Sequence, residues 1–234
     1  MTSGLRWFGE EFPPQGALAA EGFGRLLGRP NMDPLTVLVR ETAQNSWDAR
    51  LPDPPVHFTV NGCTLDDTQW DVLARGVFGD MPAVGLHLLR QSLRSHPLNA
   101  LIISDRGTVG LGGPTRADCP TDGPTDYVDL LMNVGVRGHQ FGGGTYGFGK
   151  TISYIVSKPH TLVIHTRTSN GLPRTETRLV ASAIGEAFTY RDHRYTGRHW
   201  WSGPALEPLR GQAAEDLARA IGFPGFDEGE TGTS

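Results

Sequence analysis

The chain has 234 residues, of which 38% are hydrophobic and 20% are charged, and its formal net charge is −4. This composition is typical of a globular protein with a hydrophobic core, and the charge excludes a general electrostatic attraction to nucleic acid. The two cysteines, Cys63 and Cys119, exclude a disulfide framework and a cysteine-rich zinc site. No apolar stretch has the length that a bilayer requires. We therefore expect a cytoplasmic protein that does not bind a membrane.

The first half of the chain predicts a helix, a strand, two more helices and a second strand. Asp33 is a good N-cap for the first helix, Pro34 fits its first turn, and Pro52 and Pro54 end it. The remaining elements of this half are a strand over 56–60, helices over 68–79 and 83–96, and a buried strand over 99–107.

The second half predicts two short helices, a pair of strands and a last helix. Their ranges are 126–136 and 147–158 for the helices, 160–168 and 174–185 for an antiparallel pair of strands, and 210–222 for the last helix. Alternating helices and sequential strands indicate an α/β (α+β) fold, a two-layer α/β sandwich with a mixed sheet, in one domain over 1–234.

Charge is unevenly distributed along the second half. Residues 158–201 contain seven lysines or arginines and three acids, whereas 207–230 contain six acids and two arginines. Within the basic part, "TYRDHRYTGRHWW" alternates arginines with aromatic residues. The pattern fits a solvated surface, and it also fits a contact with nucleic acid or a protein partner through 158–201.

A glycine-rich stretch at 141–151, "FGGGTYGFGKT", fits two phosphate-binding patterns. From Gly144 to Thr151 it matches the P-loop, G-x-x-x-x-G-K-[ST]. The preceding residues are polar rather than a strand, and the next strand does not end in an acid that could hold magnesium, which disfavours the P-loop. The second pattern is G-x-x-G-x-G, with Gly144, Gly147 and Gly149.

Three polar residues of the first helix, Glu41, Asn45 and Asp48, share one arc because they are spaced i, i+4 and i+7. A carboxylate can deprotonate water, and an amide oxygen suits Mg²⁺. The same spacing also occurs on an ordinary polar helix edge, so the triplet alone leaves both interpretations open.

The ordered set "ETAQNSWDA", "IISDRG" and "GTYGFGK" resembles the motifs of the GHKL, or Bergerat-fold, ATPases. This superfamily includes the DNA gyrase B subunit, MutL and MORC proteins, the large heat-shock chaperone and the histidine kinases. The resemblance covers Glu41 to Lys150. It implies a Bergerat ATP-binding fold with ATP and Mg²⁺ as cofactors.

The resemblance also implies individual roles. Glu41 would be the general base, Asn45 the Mg²⁺ ligand, and Asp105 the acceptor of a hydrogen bond from the adenine amino group. Gly107 would let the backbone approach the base. The other residues implied to bind the nucleotide are Asp48 and Ala49 from the first motif, Gly110 after the second, and Gly144, Thr145, Tyr146, Gly147, Phe148, Gly149 and Lys150 from the third.

One departure concerns the second motif, which reads D-x-G-x-x-G from Asp105 to Gly110 instead of D-x-G-x-G. The turn after Gly107 must therefore differ from the family pattern. The stretch from about 107 to 145 would form the ATP lid, because its glycines and prolines suit a loop that closes over a nucleotide.

The implied function is Mg-dependent ATP binding and hydrolysis that drives lid closure and dimerisation on a protein partner or nucleic acid. A glutamate at position 41, together with the lack of a recognisable phosphoacceptor-histidine helix, favours a hydrolase over a histidine kinase. The alternative is a nucleotide-binding switch with negligible turnover.

The last residues, "DEGETGTS", allow two interpretations. GHKL proteins carry a late Gly-Thr at the start of a sheet strand, and Gly232 and Thr233 would fill that role, with Thr233 supporting Asp105. The sequence would then stop just before a core strand and leave an unpaired, poorly stable sheet edge. Alternatively, these residues form a disordered acidic tail.

Overall fold

A computed structural model describes residues 5–17, 19, 32–132, 148–169, 172 and 174–234, with the backbone alone for 148–150. The helices within these residues are α1 (Pro34–Asp48), α2 (Asp67–Asp71), α3 (His87–Arg94), α4 (Asp126–Leu131), α5 (Phe148–Val156) and α6 (Gly211–Ala220). A π-helical turn (Val72–Val77) continues α2. None of these helices combines the length and apolar character needed to cross a bilayer.

The strands are β1 (Arg6–Glu11), β2 (His57–Thr64), β3 (Asn99–Arg106), β4 (Thr161–Thr168), β5 (Glu176–Ile184), β6 (Phe188–Tyr190), β7 (His193–Ser202), β8 (Leu209–Arg210) and β9 (Gly232–Thr233). Their order in the sheet is β1-β7-β5-β4-β9-β3-β2, with β6 paired to β7 and β8 paired to β5. The predicted antiparallel pair is β4 and β5, joined in register from Thr161 opposite Ala183 to Thr168 opposite Glu176.

Every pair of strands among the described residues is antiparallel, which differs from the predicted mixed sheet. The physical reason lies in β9. Both β3 and β4 are antiparallel to β9, so they run parallel to each other, as the helical connection between them requires. They are not hydrogen-bonded neighbours, because β9 lies between them.

Helices cover both faces of the sheet, which differs from the predicted two-layer sandwich. On β5, Leu179 and Ala181 belong to a core cluster with residues of α3, the π-helical turn and α6. Val180, which points to the opposite face, packs with Tyr127 and Leu131 of α4. A strand that is buried on both faces carries an almost continuous run of small and apolar residues, as "LVASA" does in β5.

The segment that alternates arginines with aromatics forms β6 and β7. Trp200, Trp201 and His199 are buried in the sheet. The exposure of the arginines differs: Arg198 pairs with Glu10 Oε1 at 3.0 Å, while Arg194 lies exposed over the ring of Phe12. Most of β7 is therefore buried in the sheet, and the contact of 158–201 with a partner stays a prediction.

Candidate functional site

The helix α1 packs its inner face against β3 and α5. Asp33 caps the helix as predicted, because its carboxylate accepts a hydrogen bond from Thr36 N at 2.9 Å. Val37 and Leu38 contact Ile152 of α5 and Ile103 of β3. This packing places the C-terminal half of α1 beside the end of β3, where Asp105 lies.

Asp105 is the centre of a hydrogen-bond network that joins α1, β3 and β9. Its Oδ2 lies 2.8 Å from Ser46 Oγ, and its Oδ1 accepts hydrogen bonds from Thr108 Oγ1 at 2.7 Å and Thr233 N at 2.8 Å. An ionised carboxylate has about four lone-pair sites, so one site on Oδ2 can accept a further donor. The exocyclic amino group of a base is a donor of this kind.

A large cavity adjoins Asp105. Its volume is about 1220 Å³, and it extends through the sheet between β3 and β4. On one face it is lined by the end of α1, including Asn45, Asp48 and Ala49, and on the other by apolar residues such as Leu89 and Phe223. The structure thus brings six of the predicted site residues to one cavity, namely Asn45, Asp48, Ala49, Asp105, Gly110 and Thr233.

At the end of α1, the side chain of Asp48 and the backbone of Ala49 make different contacts. Both oxygens of Asp48 lie 3.1 Å from Gln44 Nε2, so this carboxylate is oriented along the surface of the helix. The carbonyl of Ala49 accepts a hydrogen bond from Val109 N at 2.9 Å and ties the helix end to the loop after Asp105.

Glu41 lies on the inner side of α1. Its carboxylate is buried and lies 3.2 Å from Arg40 Nη2, and it does not line the cavity that the described residues enclose. On the same helix Leu35 is 49% exposed, whereas Val37 and Leu38 are buried. The helix is rotated so that Val37 and Glu41 face inward, because Val37 packs against α5.

Gly107 fills a position that tolerates no side chain. Its φ is +74°, and a Cβ atom would lie 2.6 Å from the carbonyl oxygen of Pro55. Its N–H donates to Thr231 O at 3.1 Å and its carbonyl accepts from Leu51 N at 2.9 Å. Directly after Asp105, the backbone is therefore hydrogen-bonded to Thr231 on one side and to Leu51 on the other.

Gly110 explains the departure in the second motif. Its φ is +64°, and a Cβ atom would lie 2.3 Å from the carbonyl oxygen of Arg167 on β4. The next residue, Leu111, donates its N–H to Thr166 Oγ1 at 3.0 Å. The extra residue in the turn thus lets the loop pack onto β4, and Gly110 also lines the cavity.

The beginning of the predicted lid is fastened to the sheet. The buried guanidinium of Arg178 donates to the carbonyls of Leu111 and Gly113, both at 3.0 Å, and pairs with Glu176 Oε1 at 2.6 Å. Thr115 is hydrogen-bonded to Glu207 on the same side of the sheet. The described part of the lid is therefore anchored as far as Thr115.

Most of the glycine-rich third motif lies outside the described residues, namely Gly144, Thr145, Tyr146 and Gly147. Phe148, Gly149 and Lys150 form the first turn of α5, close to the predicted start of this helix. Thr151, which would bind magnesium in a P-loop, is buried and does not line the cavity. Which of the two phosphate-binding patterns applies stays a prediction.

Among the described residues, no group of three or more His, Cys, Asp or Glu side chains could hold a metal ion. Beside nucleotides, Mg²⁺ is commonly held by one or two protein oxygens together with phosphates and water. Asn45 fits this role, because it lines the cavity and carries an amide oxygen.

Thr233 reaches Asp105 through its backbone. Gly232 and Thr233 form β9, which pairs with Asp105 and Arg106 on one side and with Thr166 and Arg167 on the other. The hydroxyls of Thr233 and Thr166 lie 3.0 Å apart. These residues are thus part of the sheet, in contrast to the alternative of a disordered tail.

Three residues that contact Asp105 or its loop were not predicted as site residues: Ser46, Thr108 and Thr231. Ser46 lies inside the first motif, and its position beside Asn45 on the inner face of α1 is a signal that could have identified it. Thr108 and Thr231 carry no comparable signal, because their roles depend on the close approach of the loop and β9.

Comparison with protein-family models, characterised proteins and solved structures gives no match for this chain.

Proposed function

We propose that the chain is a Mg-dependent ATP-binding module of the GHKL type that hydrolyses ATP slowly. The observation that carries this proposal is the setting of Asp105. Its carboxylate is held by three hydrogen-bond donors and keeps one acceptor site beside a large cavity. This arrangement suits recognition of the adenine amino group, and the end of α1 offers an amide oxygen and a carboxylate nearby.

In hydrolysis, the oxygen of a water molecule attacks the γ-phosphorus, the bond to the β–γ bridging oxygen breaks, and the water gives up a proton. We assign Glu41 as the base that takes this proton and Asn45 as a ligand of Mg²⁺. The ion supplies neutralising charge to the phosphates when it is bound. Lys150 is assigned to the β- or γ-phosphate by the same resemblance.

A nucleotide switch with negligible turnover is the second candidate. It is favoured by the buried position of Glu41 and its contact with Arg40, which leave this carboxylate outside the cavity lining. Phosphate release from the parent protein and from Glu41→Ala distinguishes the two functions. A drop of about 100-fold in Glu41→Ala with ATP binding retained supports hydrolysis, whereas equal rates remove Glu41 from the mechanism.

The experiment that tests nucleotide recognition is a competition of ATP and GTP against a fluorescent ATP analogue. The parent should prefer ATP, because Asp105 accepts from an amino group that guanine does not present in the same place. Asp105→Asn should weaken ATP binding by about tenfold or more. Equal affinity of the parent for ATP and GTP would contradict the assignment of Asp105.

Nucleotide binding is further proposed to close the lid and bring two copies of the chain together. Sedimentation with and without a non-hydrolysable ATP analogue measures the association. A monomer under both conditions would limit the function to binding and turnover within one chain.

A further inference from the structure

The acidic segment after α6 is folded onto the sheet rather than extended into solvent. Residues 223–231, here called the C-terminal strap, lead from α6 to β9. The ring of Phe226 lies in the middle of the strap and contacts His165 of β4 with 4.8 Å between ring centroids. The guanidinium groups of Arg106 and Arg167 lie 4.1 and 4.8 Å from the centre of the same ring.

Arg106 makes three polar contacts with the strap, and Arg167 adds a fourth by donating to Asp227 O at 2.8 Å. Arg106 donates to the carbonyls of Pro224 and Gly225 at 3.2 and 2.9 Å, and its Nε lies 3.3 Å from Glu230 Oε2. It also donates to Ser234 Oγ at 3.1 Å. One guanidinium, on the residue next to Asp105, therefore holds both the strap and the strand that follows it.

The strap ends against the loop of Asp105. Thr231 accepts a hydrogen bond from Gly107 N at 3.1 Å and donates its hydroxyl to Thr108 O at 2.5 Å. Two residues later, Thr233 N donates to Asp105 Oδ1. Displacement of the strap would thus remove the partners of Gly107 and Asp105 together.

We propose that Arg106 and Phe226 are positioning residues that hold Gly232–Thr233 against the Asp105 carboxylate and so support recognition of the nucleotide base. This inference rests on the proposed function of Asp105. Neither side chain lines the cavity, so both act through the strap and β9. The planar guanidinium of Arg106 donates to two carbonyls of the strap and stacks on the ring of Phe226. The compact ammonium of a lysine lacks this planar fork of donors, and a leucine lacks the aromatic face.

The test compares Arg106→Lys and Phe226→Leu with two matched controls. Arg106→Lys keeps the charge and Phe226→Leu keeps an apolar side chain. The controls are Arg219→Lys, at an exposed ion pair with Asp216, and Phe188→Leu, at a ring stacked on Tyr195 and His199 away from Asp105.

Binding of ATP and GTP is measured by competition against a fluorescent ATP analogue, and thermal melting confirms that each variant folds. Arg106→Lys and Phe226→Leu should weaken ATP binding by about tenfold and reduce the preference for ATP over GTP, while the controls stay near the parent. ATP affinity and preference within about twofold of the parent in both variants would overturn the proposal.

Hydrogen exchange separates this inference from the proposed function. In Arg106→Lys and Phe226→Leu without nucleotide, the amides of 105–108 and 231–234 should exchange about tenfold faster than in the parent, whereas those of β5 should not. A parent without preference for ATP would overturn the proposed function, and exchange would still decide the positioning role. Unchanged exchange in both variants would overturn the positioning role even where ATP binds.

Discussion

At the scale of single residues, the setting of Asp105 differs from that of Glu41. Asp105 is surrounded by donors that satisfy an ionised carboxylate and leave it accessible from the cavity. Glu41 is buried beside Arg40. The proposed recognition of the base therefore relies on hydrogen bonds that the structure already contains, whereas the proposed role of Glu41 in hydrolysis requires its carboxylate to reach a water molecule at the γ-phosphate.

The two patterns of the glycine-rich stretch lead to opposite expectations for Thr151 and Asn45. Thr151→Ala should leave Mg-dependent ATP binding within about twofold of the parent, because Thr151 is buried within α5. Asn45→Ala should weaken it by about tenfold, because the amide oxygen is lost. Calorimetric titration of ATP with Mg²⁺ and with EDTA measures both changes. Loss of metal-dependent binding in Thr151→Ala alone would favour the P-loop.

At the scale of elements, β5 supports the first part of the lid through Arg178, whose side chain is 1% exposed. Arg178→Met should lower the free energy of unfolding by about 2–3 kcal/mol, because the two loop carbonyls lose their buried donor while Glu176 keeps its ion pair with Arg210. Urea denaturation measures the change. The control Arg219→Met alters an exposed ion pair and should have an effect of less than about 1 kcal/mol. A comparably small effect of Arg178→Met would show that the anchor is dispensable.

At the scale of the whole molecule, β9 is the one strand among the described residues that pairs with both β3 and β4. β9 pairs with two residues of β3 and two of β4, and Ser234 adds hydrogen bonds to His165. Beyond this point the cavity separates β3 from β4, and Val163 and Leu162 of β4 belong to clusters on opposite faces. A strand placed in this opening would therefore be apolar on both faces.

An engineered extension tests whether the opening accepts a strand. About six residues rich in valine and isoleucine, added after Ser234, should raise the melting temperature by at least about 2 °C, because they supply backbone partners and apolar contacts to β3 and β4. A glycine- and serine-rich extension of the same length is the control. Equal melting temperatures for the two proteins would show that the opening does not take up a strand.

Two buried histidines make the stability of the whole fold depend on pH. Burial, reinforced by Arg106, lowers the pKa of His165 to about 4, and burial lowers the pKa of His199 to about 3. Between the ordinary pKa of about 6.5 and these values, the unfolded chain binds protons that the folded chain does not. Stability should therefore fall as the pH decreases through this range, by roughly 3 kcal/mol for His165 alone once the pH reaches about 4.

Urea denaturation between about pH 7.5 and 5 measures this dependence above the range in which carboxylates titrate. His165→Leu should flatten the curve, because leucine cannot bind a proton. The substitution removes no hydrogen bond within the described residues, among which neither ring nitrogen of His165 has a partner. His87→Leu, at an exposed position on α3, should leave it unchanged. A curve with the parent's slope in His165→Leu would exclude His165 as a source of the dependence.

The sequence by itself determined the features that depend on neighbouring residues. Asp33 and Pro34 start α1, Asp105 lies next to the end of β3, and β4 and β5 pair across a short connection. The prediction that β3 is buried was wrong, because only Ser104 of its eight residues is buried. Capping, hydrophobic periodicity and hairpin formation are local, so a single sequence carries their signals. The order of Glu41, Asn45, Asp48 and Asp105 likewise predicted candidate site residues, of which Asn45, Asp48 and Asp105 line the cavity.

Only the tertiary structure decided how distant segments meet. It inserted β9 between β3 and β4, which made the sheet antiparallel, and it brought Thr231 to Thr108 across 123 positions of sequence. It placed helices on both faces of the sheet and turned Glu41 inward. These outcomes follow from the burial of apolar surface and the pairing of buried backbone groups over the whole chain, which no local pattern specifies.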